Sequence, residues 1–244
     1  MTDRTTRPWA VAATPKPAMR SPAVSIQHPP CRPSGPAPVR PAGWAKPAFD
    51  GVAALLILIP GLPLMGLCCL LVRLTSAGPA IYSQTRVGRG GRVFTLYKIR
   101  SMVHDCESLT GPRWSLPGDP RITPLGRALR KLHLDELPQL FNVLRGDMSL
   151  VGPRPERPEI VKRLRLSIPG YDRRHVVKPG LTGFAQVHLP PDTCVRSVKN
   201  KLAYDLFYVR HRTLRMELVV LFATGLKLLG LKRLYQRKPR VPTE

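Results

Sequence analysis

The sequence predicts an α+β protein. A re-entrant membrane helix hairpin precedes a small, mainly helical domain that has a short β-hairpin and interfacial amphipathic helices. Three observations favour this class. An uncharged apolar segment runs from Gly51 to Val72, two runs with strand-like alternation flank the glycine turn GRGG, and apolar residues after Thr123 recur at helical spacing.

Both ends of the chain are predicted to be basic tails. Residues 1–45 are rich in proline and in Lys/Arg and hold a single acid, so we expect a disordered tail there, with a second tail at 236–244. The formal net charge of +24 implies an anionic partner: nucleic acid, a lipid surface or a phosphorylated substrate. The five cysteines form no CxxC pair, which favours a reducing compartment without disulfides or a zinc site.

Residues 46–75 are predicted to form a re-entrant membrane helix. Its apolar stretch is long enough to cross a bilayer, but Pro60 and Pro63 lie in the middle, where proline kinks or breaks a helix. Both flanks are basic, and basic residues prefer the cytoplasmic side. A bent segment that enters and leaves by the same face satisfies both flanks. A single span and a buried core helix are the alternatives.

Two strands and a helix are predicted next. Ile81–Val87 and Arg92–Met102 flank the glycine turn, and alternation in the second strand places Lys98 and Arg100 on one face with apolar residues. Thr123 before Pro124 is a typical helix start, with Thr as the N-cap. We therefore expect a basic, amphipathic helix to begin there.

The adjacent acids Asp135 and Glu136 are the candidate reactive groups. Apolar residues repeat at helical spacing after Leu137 and Gly146 ends the pattern, which places the acids at a helix N-terminus and favours their ionised forms. They could cap the helix, bind a divalent cation or react. Arg130 lies upstream, and Arg154 lies between two prolines. Carboxylates facing arginines suit a diphosphate with Mg²⁺, and a carboxylate can attack phosphorus.

The region Arg215–Leu234 is strongly apolar with interspersed basic residues. This pattern is typical of a helix that lies in a membrane interface, and core packing explains the same periodicity equally well.

Several long motifs carry a resemblance to a known family. They are GPAIYSQTRVGRGGRVFTLYKIRSM, GDPRITPLGRALRKLHLDELPQLFNVLRGDMSLVGPRP, VKPGLTGFAQV and YDLFYVRH. The chain resembles the bacterial sugar transferases of the small, monotopic polyprenyl-phosphate phosphoglycosyl transferase type. The resemblance covers about Lys46 to Gly230. It departs from the family pattern where KIRSM, GFAQV and LPPDTCV stand, which bears on the identity of the donor sugar.

The resemblance implies a reaction and a set of roles. Sugar-1-phosphate would pass from a nucleotide diphosphate sugar, usually a UDP-sugar, to a polyprenyl phosphate such as undecaprenyl phosphate, with release of UMP. Asp135 matches the nucleophile and Glu136 the Mg²⁺ ligand, with Asp135 beside it in the metal site. The remaining residues match phosphate-holding or substrate-binding positions: Arg130, Arg154, Lys98, Arg100, Arg121 and Gln186. Pro60 matches the break of the membrane hairpin, with Pro63 close by.

The same resemblance places the protein on the cytoplasmic face of the bacterial inner membrane, as a monotopic protein in contact with lipids. A homodimer is left open. Two rivals remain: a basic nucleic-acid-binding protein, which would not explain Gly51–Val72 or the acidic pair, and a catalytically silent membrane scaffold of the same fold. We expect no nucleic-acid partner.

Overall fold

A computed structural model describes residues 44–108, 111, 115, 118–192 and 194–231. The predicted tails at 1–45 and 236–244 lie outside the described residues, apart from positions 44 and 45. Within the described part, helices and short strands alternate, and the mixed composition is compatible with the predicted α+β class.

Helix α1 spans Ala45–Thr75 and is one unbroken helix. The predicted hairpin with its apex at Pro60–Pro63 is therefore not confirmed, because helical backbone continues through both prolines. The reason is packing on both sides of them. Ala54 and Leu58 join the core before the prolines, and Cys68 and Val72 pack against the domain after them.

The opposite side of α1 is apolar and exposed. By length and composition α1 can cross a membrane, with a mean hydropathy of 2.6 in its most apolar window, of which only 22% is buried. Residues exposed along it include Leu56, Ile59 and Leu70. An exposed apolar face of this extent marks an interaction surface.

The predicted β-hairpin is confirmed. Strands β1 (Ile81–Val87) and β2 (Val93–Ile99) pair antiparallel, with Gly90 and Gly91 at positive φ in the turn between them. Strand β2 ends at Ile99 rather than at the predicted Met102, which makes only an isolated bridge to Ile122. Lys98 pairs with Tyr82, one position before the end of the hairpin.

Helix α2 (Pro124–Lys131) begins as predicted, since the Thr123 hydroxyl accepts a hydrogen bond from the Gly126 amide. A 3-10 turn, Leu134–Glu136, follows, and α3 (Gln139–Arg145) starts after Pro138. The acidic pair therefore precedes α3 in a tighter turn instead of forming its first helical turn. Gly146 ends α3 in the left-handed conformation, as expected.

The second half of the domain covers α3. Its elements are β3 (Ser149–Val151), α4 (Pro158–Ser167), β4 (Gly180–Thr182), α5 (Phe184–His188), α6 (Val195–His211) and α7 (Leu214–Leu228). Strands β3 and β4 pair in parallel. The two backbone segments approach closely at Gly152 and Gly180, where a Cβ on Gly180 would lie 2.0 Å from the Gly152 nitrogen. Only glycine fits such an approach.

Helix α7 covers most of the predicted segment Arg215–Leu234, whose last three residues lie outside the described part. One face packs in the core through Val220 and Ala223, while Leu218 and Phe222 on the other side are exposed. The core-packing alternative is therefore correct for one face of α7. The exposed apolar face is the feature that an interfacial helix needs, and its membrane contact stays a prediction.

Candidate functional site

The acidic pair meets the basic end of β2. The Nζ atom of Lys98 lies 2.8 Å from Oε1 of Glu136 and 4.0 Å from Oδ2 of Asp135. His133, at φ 55°, reverses the chain between α2 and the 3-10 turn, which turns the acids toward the strand. The alternation that predicted a cationic end for β2 thus places Lys98 beside both carboxylates.

Arg154 clamps the same carboxylate from the opposite chain segment. Its Nη2 atom lies 2.7 Å from Oε1 of Glu136, and 41% of its side chain remains exposed. Its backbone carbonyl accepts a hydrogen bond from Arg174 Nη2 at 2.9 Å. The flanking prolines fix their own φ angles, so the segment loses less entropy on ordering. Arg154 can therefore hold Glu136 and still face an incoming anion.

The two acids differ sharply in environment. Asp135 is only 5% exposed, and within the described residues its carboxylate has no hydrogen-bond partner and one cation, Lys98, at 4.0 Å. Burial raises the pKa of Asp135, Lys98 opposes that rise, and the charge of Glu136 adds to it. Burial also disfavours ionised Glu136, but Arg154 and Lys98 outweigh it and hold the pKa of this carboxyl well below its ordinary value.

This setting thus favours ionised Glu136, as expected, whereas burial opposes the ionisation of Asp135. The reason is that both nearby cations converge on one oxygen of Glu136. A buried carboxylate without hydrogen bonds is poorly stabilised as an ion, which makes Asp135 the more reactive of the two.

Arg130 lies near the pair without forming an ion pair within 4 Å. Its Nε donates to the Ser101 hydroxyl at 2.7 Å and its Nη1 to the Ser115 hydroxyl at 2.9 Å. Burial lowers the pKa of Arg130, and the charge of Asp135 is the largest influence in the other direction. Arg130 is therefore a fixed positive charge within electrostatic range of Asp135.

Two other predicted substrate-binding arginines have different partners. Arg100 donates to the Ser76 carbonyl at 2.8 Å and to its hydroxyl at 2.9 Å, so it fastens the C-terminal end of α1. Arg121 forms a close pair with Asp119, at 2.6 Å, which holds the pKa of that acid far below its usual range. The structure does not bring either guanidinium to the acidic pair.

Gln186 lies on α5, beside Arg154 in the lining of a small cavity of about 20 Å³. Its amide nitrogen donates to the Leu181 carbonyl, while its buried Oε1 has no hydrogen-bond partner among the described residues. Gln186 thus lies near Arg154, and its unpaired acceptor atom is buried.

The prolines Pro60 and Pro63 lie on the exposed side of α1.

Sequence reasoning missed two residues that position the site. Asn142, fully buried on α3, donates to the Thr95 carbonyl at 2.7 Å and accepts from the Tyr97 amide at 3.3 Å, so it ties α3 to the strand that carries Lys98. Ser101 orients Arg130. The sequence does contain a signal for Asn142, since it is a polar residue on the apolar face of α3. It contains no comparable signal for Ser101.

The acidic pair suits a divalent cation that is completed by substrate. The described residues hold no group of three or more acids, histidines or cysteines that could bind a metal by themselves. Mg²⁺ typically takes one or two carboxylates together with substrate phosphates. Both cations contact Oε1 of Glu136, whereas Oε2 lies 3.9 Å from His133 Nδ1. The donor set therefore fits Mg²⁺ through Glu136 and Asp135.

Comparison with known proteins identifies the family. A family model described as bacterial sugar transferase matches residues 42–230, which include α1, the acidic pair and α7. The chain belongs to the bacterial sugar transferase family. The resemblance carried by the sequence motifs is thereby confirmed.

Curated relatives carry names that agree with this family. A UDP-N-acetylgalactosamine-undecaprenyl-phosphate N-acetylgalactosaminephosphotransferase from Aeromonas hydrophila is 40% identical over 181 residues, which cover 74% of this chain and 43% of the relative. A UDP-glucose:undecaprenyl-phosphate glucose-1-phosphate transferase from Caulobacter vibrioides is 41% identical over 206 residues, covering 84% and 77%. The chain thus spans about two fifths of the first relative and about three quarters of the second.

Proposed function

We propose that this bacterial sugar transferase moves sugar-1-phosphate from a UDP-sugar to undecaprenyl phosphate and releases UMP. Its relatives bear names of this reaction type, with different sugars. The observation that carries the proposal is the asymmetry of the acidic pair: Glu136 is held by Lys98 and Arg154, whereas buried Asp135 has no hydrogen-bond partner in the described part of the chain.

In the first step, Asp135 attacks the phosphorus that carries the sugar. A bond forms between a carboxylate oxygen and phosphorus, and the bond from that phosphorus to the bridging oxygen of the diphosphate breaks. UMP leaves with the bridging oxygen and its electron pair. The phosphosugar remains on Asp135 as an acyl phosphate.

In the second step, an oxygen of undecaprenyl phosphate attacks the same phosphorus. The bond to Asp135 breaks, the carboxylate is restored, and a lipid diphosphate sugar leaves. Lys98, Arg130 and Arg154 supply positive charge around the developing negative charge in both steps. Such charge is effective because it is fixed in place before the reaction begins.

Glu136, with Asp135 beside it, would hold Mg²⁺. When bound, the ion would neutralise negative charge on the diphosphate and help to orient it for in-line attack. Lys98 and Arg154 limit the freedom of Glu136, so its unclamped oxygen faces a defined direction.

A membrane location follows from the acceptor. The undecaprenyl chain lies in the bilayer, and its phosphate lies at the interface. Helix α1 exposes an apolar face and passes close to the acidic pair, since a Cβ on Gly61 would lie 3.7 Å from Leu137 Cδ2, and Met65 and Leu134 pack against the same apolar cluster. We propose that α1 dips into the cytoplasmic leaflet, which brings the lipid phosphate to Asp135 without crossing the membrane.

The test measures UMP release by the full chain in detergent, with undecaprenyl phosphate, Mg²⁺ and a panel of UDP-sugars. Asp135→Asn should abolish release, and Glu136→Gln should reduce it strongly. Donor alone, without lipid, should give a covalent phosphosugar adduct on the wild-type chain, detected by mass spectrometry, and none on Asp135→Asn. Glu159→Gln, which removes an exposed acid on α4, serves as the control.

Turnover by folded Asp135→Asn would overturn the proposal. If no donor supports release by the wild type while the chain still recruits other glycan enzymes to membranes, the scaffold alternative would stand instead.

A further inference from the structure

A second cationic cavity lies at the opposite end of α3 from the acidic pair. It has a volume of about 330 Å³, within the range of roughly 300–1,000 Å³ that is typical of small-molecule sites. Its lining includes Lys46, Asp50, Arg89, Ser149, Lys178 and Arg212. These residues come from the start of α1, the β-hairpin turn and the segments around β3, β4 and α6.

The cavity is separate from the proposed active site. The Nζ atom of Lys178 lies 3.4 Å from where a Cβ on Gly146 would stand, so the cavity adjoins the C-terminal end of α3. Asp135 and Glu136 precede its N-terminal end. A seven-residue helix is about 10 Å long, and therefore one small anion cannot contact both sites.

The lining has an excess of positive charge. It contains four basic residues and one acid. The acid, Asp50, lies 3.4 Å from Lys46, and Lys46 also pairs with buried Glu217 at 2.8 Å. Within the described residues, Arg89 and Lys178 have no carboxylate within 4 Å. Two cations beside a cavity, with the local acids already paired, favour an anionic ligand.

The acids behind the cavity are held in a fixed network. Glu217 accepts a hydrogen bond from the Tyr208 hydroxyl at 2.6 Å, and the Asp50 carboxylate accepts one from the Leu150 amide at 3.3 Å. These contacts join α1, α6, α7 and β3 at one point. The acids behind the cavity therefore already have partners within the fold.

The surroundings place the cavity at a polar–apolar boundary. Helix α1 begins at the cavity and exposes Val52 and Leu55 within the next two turns. Helix α7 begins just after Arg212 and exposes Leu214 and Leu218. A lipid that lies along these faces would bring its headgroup to the cavity.

We propose that this cavity binds the phosphate group of an anionic ligand, with Arg89 and Lys178 as its main contacts. The apolar rim favours a phospholipid headgroup as the source of that phosphate. Such a lipid would anchor the start of α1 and would take no part in the transfer reaction.

The test uses the full chain in detergent and native mass spectrometry. Dioleoylphosphatidylglycerol, dioleoylphosphatidylcholine and inorganic pyrophosphate are titrated separately. Wild type should retain phosphatidylglycerol in preference to phosphatidylcholine. The double variant Arg89→Gln/Lys178→Gln should bind it roughly 10-fold more weakly, since each basic residue near an anionic headgroup contributes severalfold.

The matched control is Lys162→Gln/Arg163→Gln, which removes the same charges from the exposed side of α4 and should bind as wild type. Arg89→Lys/Lys178→Arg, which keeps both charges, should also retain the lipid. Thermal melting checks folding. If the double variant does not fold, Arg89→Gln alone, at an exposed position, carries the test.

The separate titrations distinguish a lipid headgroup from a soluble phosphate as the source of the bound phosphate. Weakening confined to phosphatidylglycerol identifies a lipid headgroup, and equal weakening for pyrophosphate identifies a soluble phosphate. Equal binding by the cavity variant and its control overturns the proposal, as does equal retention of the two lipids by wild type.

Discussion

The ammonium group of Lys98 lies 2.8 Å from Glu136 and 4.0 Å from Asp135, so one cation serves two adjacent acids unequally. Arg154 reinforces the inequality, because it also contacts Glu136. The result is one acid that stays ionised and one whose ionisation is opposed by burial. Two neighbouring carboxylates with different environments can take different roles, as the proposed transfer reaction requires.

We predict that Asp135→Asn keeps or raises stability while it abolishes UMP release. Because burial raises the pKa of Asp135, folding favours its neutral form, and ionised Asp135 lowers the free energy of unfolding once the pH exceeds its unfolded value. The neutral, isosteric amide removes that charge. Urea unfolding at pH 7 should show equal or greater stability, with activity reduced on the order of 10³-fold or more. A large loss of stability would indicate a structural role.

On the acid side of the pH–rate profile, activity should fall with an apparent pKa above the ordinary aspartate value of about 3.9. In the proposed mechanism Asp135 must be ionised to attack, and burial raises its pKa, whereas the pKa of Glu136 is held well below its ordinary value. The measurement is kcat/KM for the UDP-sugar from pH 4 to 8.

Residual activity of Glu136→Gln provides the internal comparison. Removing Glu136 removes a charge that raises the pKa of Asp135 and leaves Lys98 to Asp135 alone, so the apparent pKa should fall. An apparent pKa that stays in place would show that another group controls it.

Lys98→Gln should lower the free energy of unfolding by about 2 kcal/mol near neutral pH, because a mostly buried carboxylate loses one of its two cations. The depressed pKa of Glu136 means that the paired ion contributes stability above its unfolded pKa, about 4.3. This contribution is lost as the pH falls through the folded value. The difference in urea midpoint between Lys98→Gln and wild type should therefore be constant down to about pH 5 and disappear below pH 4.

Lys131→Gln, at an exposed position on α2, is the control for Lys98→Gln and should match wild type at every pH. A difference between Lys98→Gln and wild type that persists unchanged at low pH would assign the effect to packing of the lysine stem instead of to Glu136.

Local features of this fold could be predicted from sequence, and long-range ones could not. The Thr123 cap, the glycine turn and the Gly146 stop depend on residues within a few positions of one another. The unbroken α1 was missed because contacts from the domain on both sides of the prolines override local propensity. The contacts of Arg100 could not be predicted, because its partner, Ser76, lies 24 positions earlier in the chain.

The acidic pair illustrates the same division. Its position before a helix and its basic neighbours in sequence were predictable, including Arg154 between prolines. The unequal sharing of Lys98 was not, because it depends on the left-handed turn at His133 and on the depth of Asp135. A sequence pattern shows which charges are present but not which oxygen each one reaches.

Asn142→Ala should destabilise the domain by about 2 kcal/mol and lower activity beyond what that loss explains. The side chain joins α3 to β2 through Thr95 and Tyr97, and its removal deprives the Thr95 carbonyl and the Tyr97 amide of these partners. It also loosens the strand next to Lys98. Urea unfolding and kcat at a temperature where the variant is fully folded test both parts. Asn200→Ala, exposed on α6, should change neither.

Arg100→Gln should lower stability by about 1–2 kcal/mol and leave the KM for the UDP-sugar within about twofold of wild type. The reason is that Arg100 fastens the end of α1 through the Ser76 carbonyl and hydroxyl, away from the acidic pair. Steady-state kinetics and thermal melting, with the exposed Arg127→Gln as control, decide the matter. A rise in KM of tenfold without loss of stability would instead support the substrate-binding role predicted from the sequence, since only direct contact with the donor's phosphates would then account for it.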